Sequence, residues 1–148
     1  MAIAATVFRQ AVPKDWETVK GLLESCSLPL DGARQHFADF LLAFKDDPLA
    51  ACGGLECYGN VALLRSVAVA PHHRGTGLGR ELCGLLLASA KQRNIRTVVL
   101  LTESAPKFFV KMGFEVVPRT MIPEAVNVSK ELRGACPQTA IAMLRRLA

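Results

Sequence analysis

The sequence predicts a mixed α/β fold in one domain, and three features indicate it. Strand-like apolar runs alternate with helical stretches along all 148 residues, in the order β-α-α-β-β-β-α-β-α-β. Hydrophobic residues make up 51% of the chain and charged residues 21%, which allows a buried core and argues against disorder. No repeat, low-complexity tract or linker divides the chain, so we expect residues 1–148 to form a single domain.

The first half of the chain predicts a strand, two helices and a pair of strands. The helix at Pro13–Glu24 begins with a proline, and its apolar residues recur at helical spacing. An Asp-Asp-Pro turn separates the paired strands. The remaining elements are a strand at Thr6–Arg9, a short helix at Ala33–Phe40 and strands at Phe40–Lys45 and Leu49–Cys57.

The second half predicts a buried strand at Val61–Ala70, a polar turn and then the longest helix, Leu78–Arg93. Along this helix, Leu82, Leu85 and Leu86 recur on one face, which we expect to join the core. The remaining elements are a strand at Thr97–Thr102, a helix at Pro106–Met112, a strand at Phe114–Val117, a helix at Pro123–Leu132 and a strand or helix at Ala140–Leu147.

Composition argues against several classes of protein. Every apolar run is interrupted before the ~20 residues that a membrane-spanning helix needs. Met1–Phe8 lacks the basic start of a signal peptide, so we expect a cytoplasmic protein. The five cysteines form no CxxC pair, and adjacent His72 and His73 diverge, so we expect free thiols and no metal site.

The net charge of +5 does not indicate a nucleic-acid-binding protein. The basic residues are scattered, and the aromatic residues are mostly phenylalanines inside apolar runs rather than exposed rings that could stack on bases. We therefore expect no nucleic-acid or membrane partner.

The segment that indicates chemistry lies between the buried strand and the longest helix. Glycines at Gly75, Gly77 and Gly79 allow a ligand to approach the backbone. The first N–H groups of a helix lack internal partners and carry the positive end of its dipole, so the segment suits a phosphate or pyrophosphate. Arg74 and Arg80 add positive charge beside it.

Two common phosphate-binding motifs do not match this segment. The Walker motif requires a Lys followed by Ser or Thr, and the Rossmann motif requires a third glycine at a spacing that is absent here. The pattern that remains is Arg74-x-x-Gly77-x-Gly79.

The chain resembles the GNAT family of acetyl-CoA-dependent N-acetyltransferases. The resemblance rests on the strand Leu64–Val69, on the RGTGLG loop and on Ala105-x-x-Phe108-Phe109-x-x-Met112-Gly113-Phe114. It implies the GNAT fold, a mixed sheet that splays between its fourth and fifth strands. Those strands would be Ala62–Ala70 and Thr97–Thr102.

The resemblance also implies a cofactor, acetyl-CoA, and a place for each part of it. The pantetheine arm would lie in the splay and bind backbone groups of the fourth strand, as an added strand does. The pyrophosphate would lie on the loop. The implied cofactor-binding residues are Val67, Ala68, Val69, Arg74, Gly75, Thr76, Gly77, Leu78, Gly79 and Arg80.

The chain departs from the family pattern at the proton donor. Phe109 stands where many members have a tyrosine that protonates the leaving thiolate, and Thr102 stands where an asparagine is common. Three interpretations stay open: the thiolate leaves unprotonated, another donor serves, or the chain is a weak catalyst.

Candidate catalytic residues are Glu56, as a base for the amine, and Ser66, beside the expected acetyl site. The alternative for Glu56 is a solvated strand end. Arg65 would hold an acceptor carboxylate or form a salt bridge on the outer sheet face. The loop Leu28–Arg34, with Leu30 and Arg34, and the segment Arg119–Pro137 would flank the acceptor.

A narrower resemblance joins GLExxG, ALLRSVAV and LLTESAPKFFVKMGF to the small GNAT enzymes associated with arsenic resistance. It implies a small primary amine as acceptor, such as an amino acid or an amino-acid-like toxin. The alternatives are a non-catalytic acyl-CoA-binding module and a protein or peptide N-acetyltransferase. A homodimer also stays open, by analogy alone.

Overall fold

The fold is a seven-stranded sheet with flanking helices, in a computed structural model that describes residues 5–45, 48–132 and 139–147. The strands are β1 (Thr6–Gln10), β2 (Phe40–Lys45), β3 (Leu49–Tyr58), β4 (Val61–Val69), β5 (Thr97–Thr102), β6 (Glu115–Val116) and β7 (Ile141–Arg146). The helices are α1 (Trp16–Ser25), α2 (Leu78–Gln92) and α3 (Pro106–Lys111). This confirms the predicted mixed α/β class.

The strand order in the sheet is β1-β2-β3-β4-β5-β7-β6. Neighbouring strands are antiparallel except β4 and β5, which are parallel and are connected through α2. A parallel pair needs such a crossover because the chain must return to the end of the sheet at which the first strand began. The start of α2 therefore lies at the carboxyl end of β4, where a ligand can contact both.

Three apolar clusters lie against this sheet in the described part of the chain, and two of them contain a helix. Helix α2 buries Leu82, Leu86 and Ala90 in the larger core, which also contains residues of β3, β4, β5 and α3. Helix α1 buries Val19 and Leu23 in a second core. The expectation that Leu85 is buried was wrong, because its side chain lies at the edge of the α2 face and is 43% exposed.

The entry into α1 is fixed by an ion pair. Arg9 donates two hydrogen bonds to Asp15, of 2.8 and 2.9 Å, and Asp15 also accepts a 2.9 Å bond from the backbone N–H of Val12. The Arg9 hydrogen bonds lower the pKa of Asp15 to about 2. The Asp15 carboxylate thus joins the end of β1 to the start of α1.

Two predicted helices are not formed as expected. Residues 31–36 are turns and only Phe37–Asp39 is a 3₁₀ helix, where a helix was predicted at Ala33–Phe40. The start of the predicted helix Pro123–Leu132 is a 3₁₀ turn at Glu124–Val126. In the first segment, tertiary contacts override the local pattern, because Phe37 packs against the rings of Trp16 and Phe40.

The open choice at the carboxyl-terminal end is decided in favour of a strand, β7, which pairs with both β5 and β6. The predicted turn at Asp46 and Asp47 lies outside the described residues. Among the helices that the structure describes, none combines the length and the apolar character that a bilayer-spanning helix requires.

Candidate functional site

The sheet opens between β4 and β5. These strands pair at only three positions, Val61 with Thr97, Ala62 with Val98 and Leu63 with Val99. Beyond Leu63 the strands are no longer paired, although β4 continues to Val69 and β5 to Thr102. The result is a cleft with one edge of β4 along its side, at the position that the family resemblance implied.

A β-bulge in β4 sets which side chains flank this cleft. In the pairing with β3, Cys52 faces Ala68 but Gly54 faces Arg65, so β4 contains one extra residue. Ser66 is in the left-handed region, with φ 57°. Because the bulge shifts the alternation of the strand, Val67 packs with the α2 core, as Leu64 does, although the two are an odd number of residues apart.

The first turn of α2 presents unpaired N–H groups at the end of β4. Gly77 is the N-cap residue, in the left-handed conformation with φ 85°, and no side chain caps the helix. The first hydrogen bond of the turn runs from the N–H of Glu81 to Gly77, at 3.0 Å. Within the described chain, the N–H groups of Leu78, Gly79 and Arg80 have no partner. Such a helix start attracts an anion.

The three glycines of the loop have different roles. A Cβ atom at Gly75 or Gly77 would meet nothing within 4 Å, and both residues have a positive φ, of 76° and 85°. At Gly79 a Cβ atom would lie 3.2 Å from a methyl group of Val69. Gly75 and Gly77 therefore allow the turn and leave space above the backbone, whereas Gly79 allows α2 to approach β4.

The two arginines of the loop are exposed and differ in their contacts. The Nε of Arg74 donates a 3.0 Å hydrogen bond to the carbonyl of Val69, and its Nη2 lies 3.5 Å from the sulfur of Cys26. The side chain of Arg80 makes no hydrogen bond or ion pair within the described part of the chain. Positive charge is therefore present on both sides of the helix start.

A buried charge cluster lies on the other face of β4. Arg65 Nη1 donates a 2.6 Å hydrogen bond to Glu56 Oε2, and Arg65 Nε lies 3.3 Å from Glu131 Oε2. Arg65, Glu56 and Glu131 are all less than 5% exposed. Glu56 is therefore not a solvated strand end. Arg65 does form a salt bridge, as one of its two expected roles required, but the pair is buried and does not lie on an outer sheet face.

Polar neighbours hold Glu56 in its charged form. Burial by itself raises the pKa of Glu56, but hydrogen bonds from Tyr58, Arg65 and Ser129 outweigh it and lower the pKa below the ordinary value. Burial and the Glu56 carboxylate raise the pKa of Tyr58. His36 Nε2 lies 3.5 Å from Glu56 Oε1 and 3.4 Å from the Tyr58 hydroxyl.

Leu30 and Arg34, the two residues of the loop Leu28–Arg34 that were expected to bind substrate, lie in different surroundings. Leu30 packs against the α1 core. Arg34 is exposed and its guanidinium lies 5.6 Å from the centre of the Trp16 ring. The loop itself reaches the charge cluster through the backbone carbonyls of Pro29 and Asp31, which accept hydrogen bonds from Arg65.

Phe109 is buried and cannot supply a proton. Its ring packs against the rings of Phe108, at 5.0 Å, and Phe114, at 5.8 Å. The hydroxyl of Thr102 accepts a 3.1 Å hydrogen bond from the N–H of Ala105 and so fixes the turn into α3. Both residues that differ from the family pattern therefore have structural roles.

Sequence reasoning missed four members of the charge cluster. Tyr58 could have been found, because it is two residues after Glu56 and therefore points to the same face of the strand. His36, Ser129 and Glu131 come from segments that the sequence predicted as helices, and helical spacing did not place them beside Glu56.

Comparison with known proteins identifies relatives among the acetyltransferases. An uncharacterized N-acetyltransferase from Chlorobaculum tepidum is 29% identical over 119 residues, which cover 76% of this chain and 74% of that protein. An amino-acid acetyltransferase from Pasteurella multocida is 29% identical over 82 residues, which cover 54% of this chain and 19% of that protein.

Among solved structures, N-acetylglutamate synthase from Neisseria gonorrhoeae, complexed with coenzyme A and N-acetyl-glutamate, superimposes with a TM-score of 0.84 at 22% identity. The match covers 99% of this chain and 36% of the synthase chain. The chain thus corresponds to about a third of the synthase, and the likeness between the two is one of fold.

The sequence model of the family described as "Acetyltransferase (GNAT) domain" matches residues 36–116. This range contains β2 to β6, the opened pair of strands, the glycine loop and α3. It amounts to more than half of the 148 residues. The chain belongs to the GNAT family of acetyltransferases.

Proposed function

We propose that the protein transfers an acetyl group from acetyl-CoA to the primary amine of a small molecule of the amino-acid type. The observation that carries the proposal is the helix start with three unpaired N–H groups, at Leu78–Arg80, beside the free edge of β4. The Neisseria synthase of the same fold is complexed with coenzyme A.

The site fits coenzyme A by its own geometry. The uncapped N–H groups suit the diphosphate, and the space above Gly75 and Gly77 allows it to approach the backbone. The unpaired edge of β4 at Val67–Val69 suits the amide groups of the pantetheine arm. When bound, the thioester supplies an activated acetyl group.

The chain's own contribution to the reaction is mainly positioning. An amide of β4 near the bulge at Ser66 would donate to the acetyl oxygen and stabilise the charge that develops there. The amine must enter unprotonated from the side of the loop Leu28–Arg34, and holding it against the thioester accounts for a large part of the rate.

Glu56 stays a proposed base, and substitution tests it. At neutral pH the carboxylate is charged, but its lowered pKa makes it a weak proton acceptor. If Glu56 accepts the amine proton, Glu56→Gln lowers kcat and shifts the pH profile of kcat/KM. An unchanged pH profile would remove this assignment and leave Glu56 as the partner of Arg65.

The amino-acid class of acceptor is supported by relatives. The Pasteurella relative is named an amino-acid acetyltransferase, and the Neisseria synthase is complexed with an acetylated amino acid. The narrower proposal, an amino-acid-like toxin of the arsenic-resistance type, is supported by the motifs of this sequence alone.

A thiol-release assay with a panel of acceptors tests the proposal. The panel contains amino acids, organoarsenical amino acids, aminoglycosides, polyamines and peptides with free N-termini. We expect acetyl-CoA to bind in titration calorimetry and amino acids or their analogues to release CoA fastest. Preference for peptides would instead identify a peptide N-acetyltransferase.

A second candidate function is a non-catalytic acyl-CoA-binding module. The observation that favours it is Phe109, which is buried at the position of the usual proton donor. Tight binding of acetyl-CoA without CoA release for any amine would support this candidate and contradict the first.

A further inference from the structure

The loop that covers one face of β4 has little regular structure of its own. Residues 28–30 have no regular structure and residues 31–36 form turns, with backbone hydrogen bonds such as Ala33 N–H to the carbonyl of Leu30, at 2.9 Å. A second irregular segment, residues 127–131, approaches the same place. In the family pattern assigned to the sequence, both segments flank the acceptor, so their positions matter for catalysis.

We propose that Arg65 is a positioning residue that holds these two segments against β4 and thereby shapes the acceptor side of the site. The inference rests on the proposed function. It differs from the sequence-based expectation that Arg65 binds an acceptor carboxylate directly, because in the structure Arg65 contacts the protein with each of its guanidinium nitrogens.

The contacts of Arg65 with the first segment are made to backbone atoms. Its Nη1 donates a 2.7 Å hydrogen bond to the carbonyl of Asp31, and its Nη2 donates a 3.2 Å bond to the carbonyl of Pro29. The planar guanidinium can serve both carbonyls at once because its donors point in fixed directions. The Arg65 side chain thus bonds two carbonyl groups of a loop that has no helical hydrogen bonds at these residues.

The contacts with the second segment are ionic. Arg65 Nε lies 3.3 Å from Glu131 Oε2, and the Glu131 N–H donates a 3.2 Å hydrogen bond to the Ser129 hydroxyl. Nε also donates to the hydroxyl of Ser66 at the bulge, at 3.0 Å. The same guanidinium therefore connects the second segment to the bulge of β4 at Ser66.

Gly32 shows how closely the two segments meet over Arg65. A Cβ atom at Gly32 would lie 3.2 Å from Arg65 Nη1 and 3.6 Å from the Cβ of Lys130. Gly32 also has a φ of +78°, which favours glycine. The loop, the second segment and the guanidinium thus lie close together, and a Cβ atom at this position would require Arg65 to shift by a few tenths of an ångström.

Complete hydrogen bonding explains why the buried arrangement is stable. Glu56 on the neighbouring strand pairs with Arg65 at 2.6 Å, and hydrogen bonds lower the pKa of Glu56. A buried ion pair is sustained only when its remaining donors and acceptors are also bonded, and here the loop carbonyls meet that need. No buried side-chain nitrogen or oxygen in the described part of the chain lacks a hydrogen-bond partner.

The first test measures the two segments directly, by hydrogen exchange of the full chain without added ligand. We choose Arg65→Lys because lysine keeps the charge opposite Glu56 but cannot bond two carbonyls in a fixed geometry. We expect the amides of Ala33 and Ser129 to exchange on the order of ten-fold faster, with exchange in α2 unchanged. Unchanged exchange at both amides would overturn the inference.

A second pair of variants keeps the test decisive if Arg65→Lys folds poorly. Gly32→Ala places a methyl group against Arg65, whereas Gly59→Ala adds one at a similar positive φ, 63°, where nothing lies within 4 Å. We expect faster exchange of Ala33 and Ser129 in Gly32→Ala only. Equal exchange of Ala33 and Ser129 in the two variants would overturn the inference.

Steady-state kinetics separate positioning from direct binding of a carboxylate. The acceptors are the L-amino acid that releases CoA fastest and its α-carboxamide, which lacks the carboxylate. In Arg65→Lys we expect KM to rise by a similar factor, about ten-fold, for both acceptors. We expect the Kd of CoA to stay unchanged, as in the control Arg93→Gln at an exposed ion pair.

A rise in KM for the amino acid alone would overturn the inference in favour of direct carboxylate binding. Absence of CoA release from every amine would contradict the proposed function and the acceptor half of this inference. The exchange measurements would still decide whether Arg65 holds the segments, so the two failures are distinguishable.

Discussion

Glu56 and Arg65 show at the level of single residues how charge is used inside this protein. Both are buried, and the 2.6 Å contact between them leaves no solvent to screen it. Removing one partner of such a pair leaves the other charge without compensation in a medium of low dielectric. The pair therefore affects folding as well as the site.

Folding stability should depend on the charge of Glu56. The folded pKa of Glu56 is lowered, so its contribution is complete above the unfolded pKa of about 4.3 and is lost as the pH falls through the folded pKa. We expect Glu56→Gln to reduce the free energy of unfolding at pH 7 by about 3 kcal/mol, near the lower limit for a broken buried pair, because Glu131 still faces Arg65.

Urea unfolding of both proteins between pH 3 and pH 7 measures this effect. The difference in unfolding free energy should shrink as the pH falls below about 4. A difference that stays constant over the range would mean that the ionised carboxylate is not what stabilises the fold.

The identities of the residues in this cluster could be read from the sequence only in part. Glu56 was selected because it lies near the end of the third strand and can face the acceptor cleft, and Arg65 because it neighbours the expected acetyl site. Their pairing follows from the register of the β3–β4 hairpin, in which Gly54 faces Arg65 and Glu56 faces Leu63, so that the two side chains are diagonal neighbours. The sequence located the two strands but not their register, so the pairing was not predicted. Leu85 is a second case: helical spacing places it near the core face, but its side chain is 43% exposed.

At the level of elements, the first turn of α2 is the part on which cofactor binding depends. Gly77 has a φ of 85° and open space around it. We expect Gly77→Val to weaken CoA binding by about ten-fold or more, because a β-branched residue disfavours this conformation and shifts the N–H groups that follow. Titration calorimetry with CoA measures the loss, and an unchanged Kd would exclude the loop from the site.

Gly84→Ala is the matched control within the same helix. Gly84 is exposed in the middle of α2, and a Cβ atom there would meet nothing within 4 Å. We expect this variant to raise the free energy of unfolding by about 0.5–1 kcal/mol, from helix propensity, and to leave the Kd of CoA unchanged. Weaker CoA binding in this variant would show that the effect at Gly77 is not local.

The elements that were predicted correctly are those with strong local patterns. The alternation and length of apolar runs locate β3, β4 and β5, and the spacing of leucines locates α2. The segments that were wrong, at Ala33–Phe40 and Pro123–Leu132, contact distant parts of the chain. In the first segment the ring of Phe37 packs against Trp16, a contact that a local pattern does not contain.

At the level of the whole molecule, the site joins both halves of the sheet. The β4 edge belongs to one half, and β5 with β7 belongs to the other, with α2 connecting them. A ligand in the cleft therefore contacts elements that must all be folded. Binding of such a ligand should stabilise the entire fold rather than one part of it.

Thermal unfolding with CoA tests this expectation. At a CoA concentration of 100 times Kd, binding adds about 2.7 kcal/mol, which for a chain of this size corresponds to about 5–10 °C in Tm. We expect a single transition that moves as a whole. A transition that splits in two would mean that the halves of the sheet unfold separately and that the single-domain prediction is wrong.

The most direct test of the account is a crystal structure of the protein grown with coenzyme A. We predict diphosphate oxygens within hydrogen-bond distance of the N–H groups of Leu78, Gly79 and Arg80, and a pantetheine arm along the free edge of β4. Coenzyme A bound elsewhere, or a cleft without it at saturating concentration, would contradict the account.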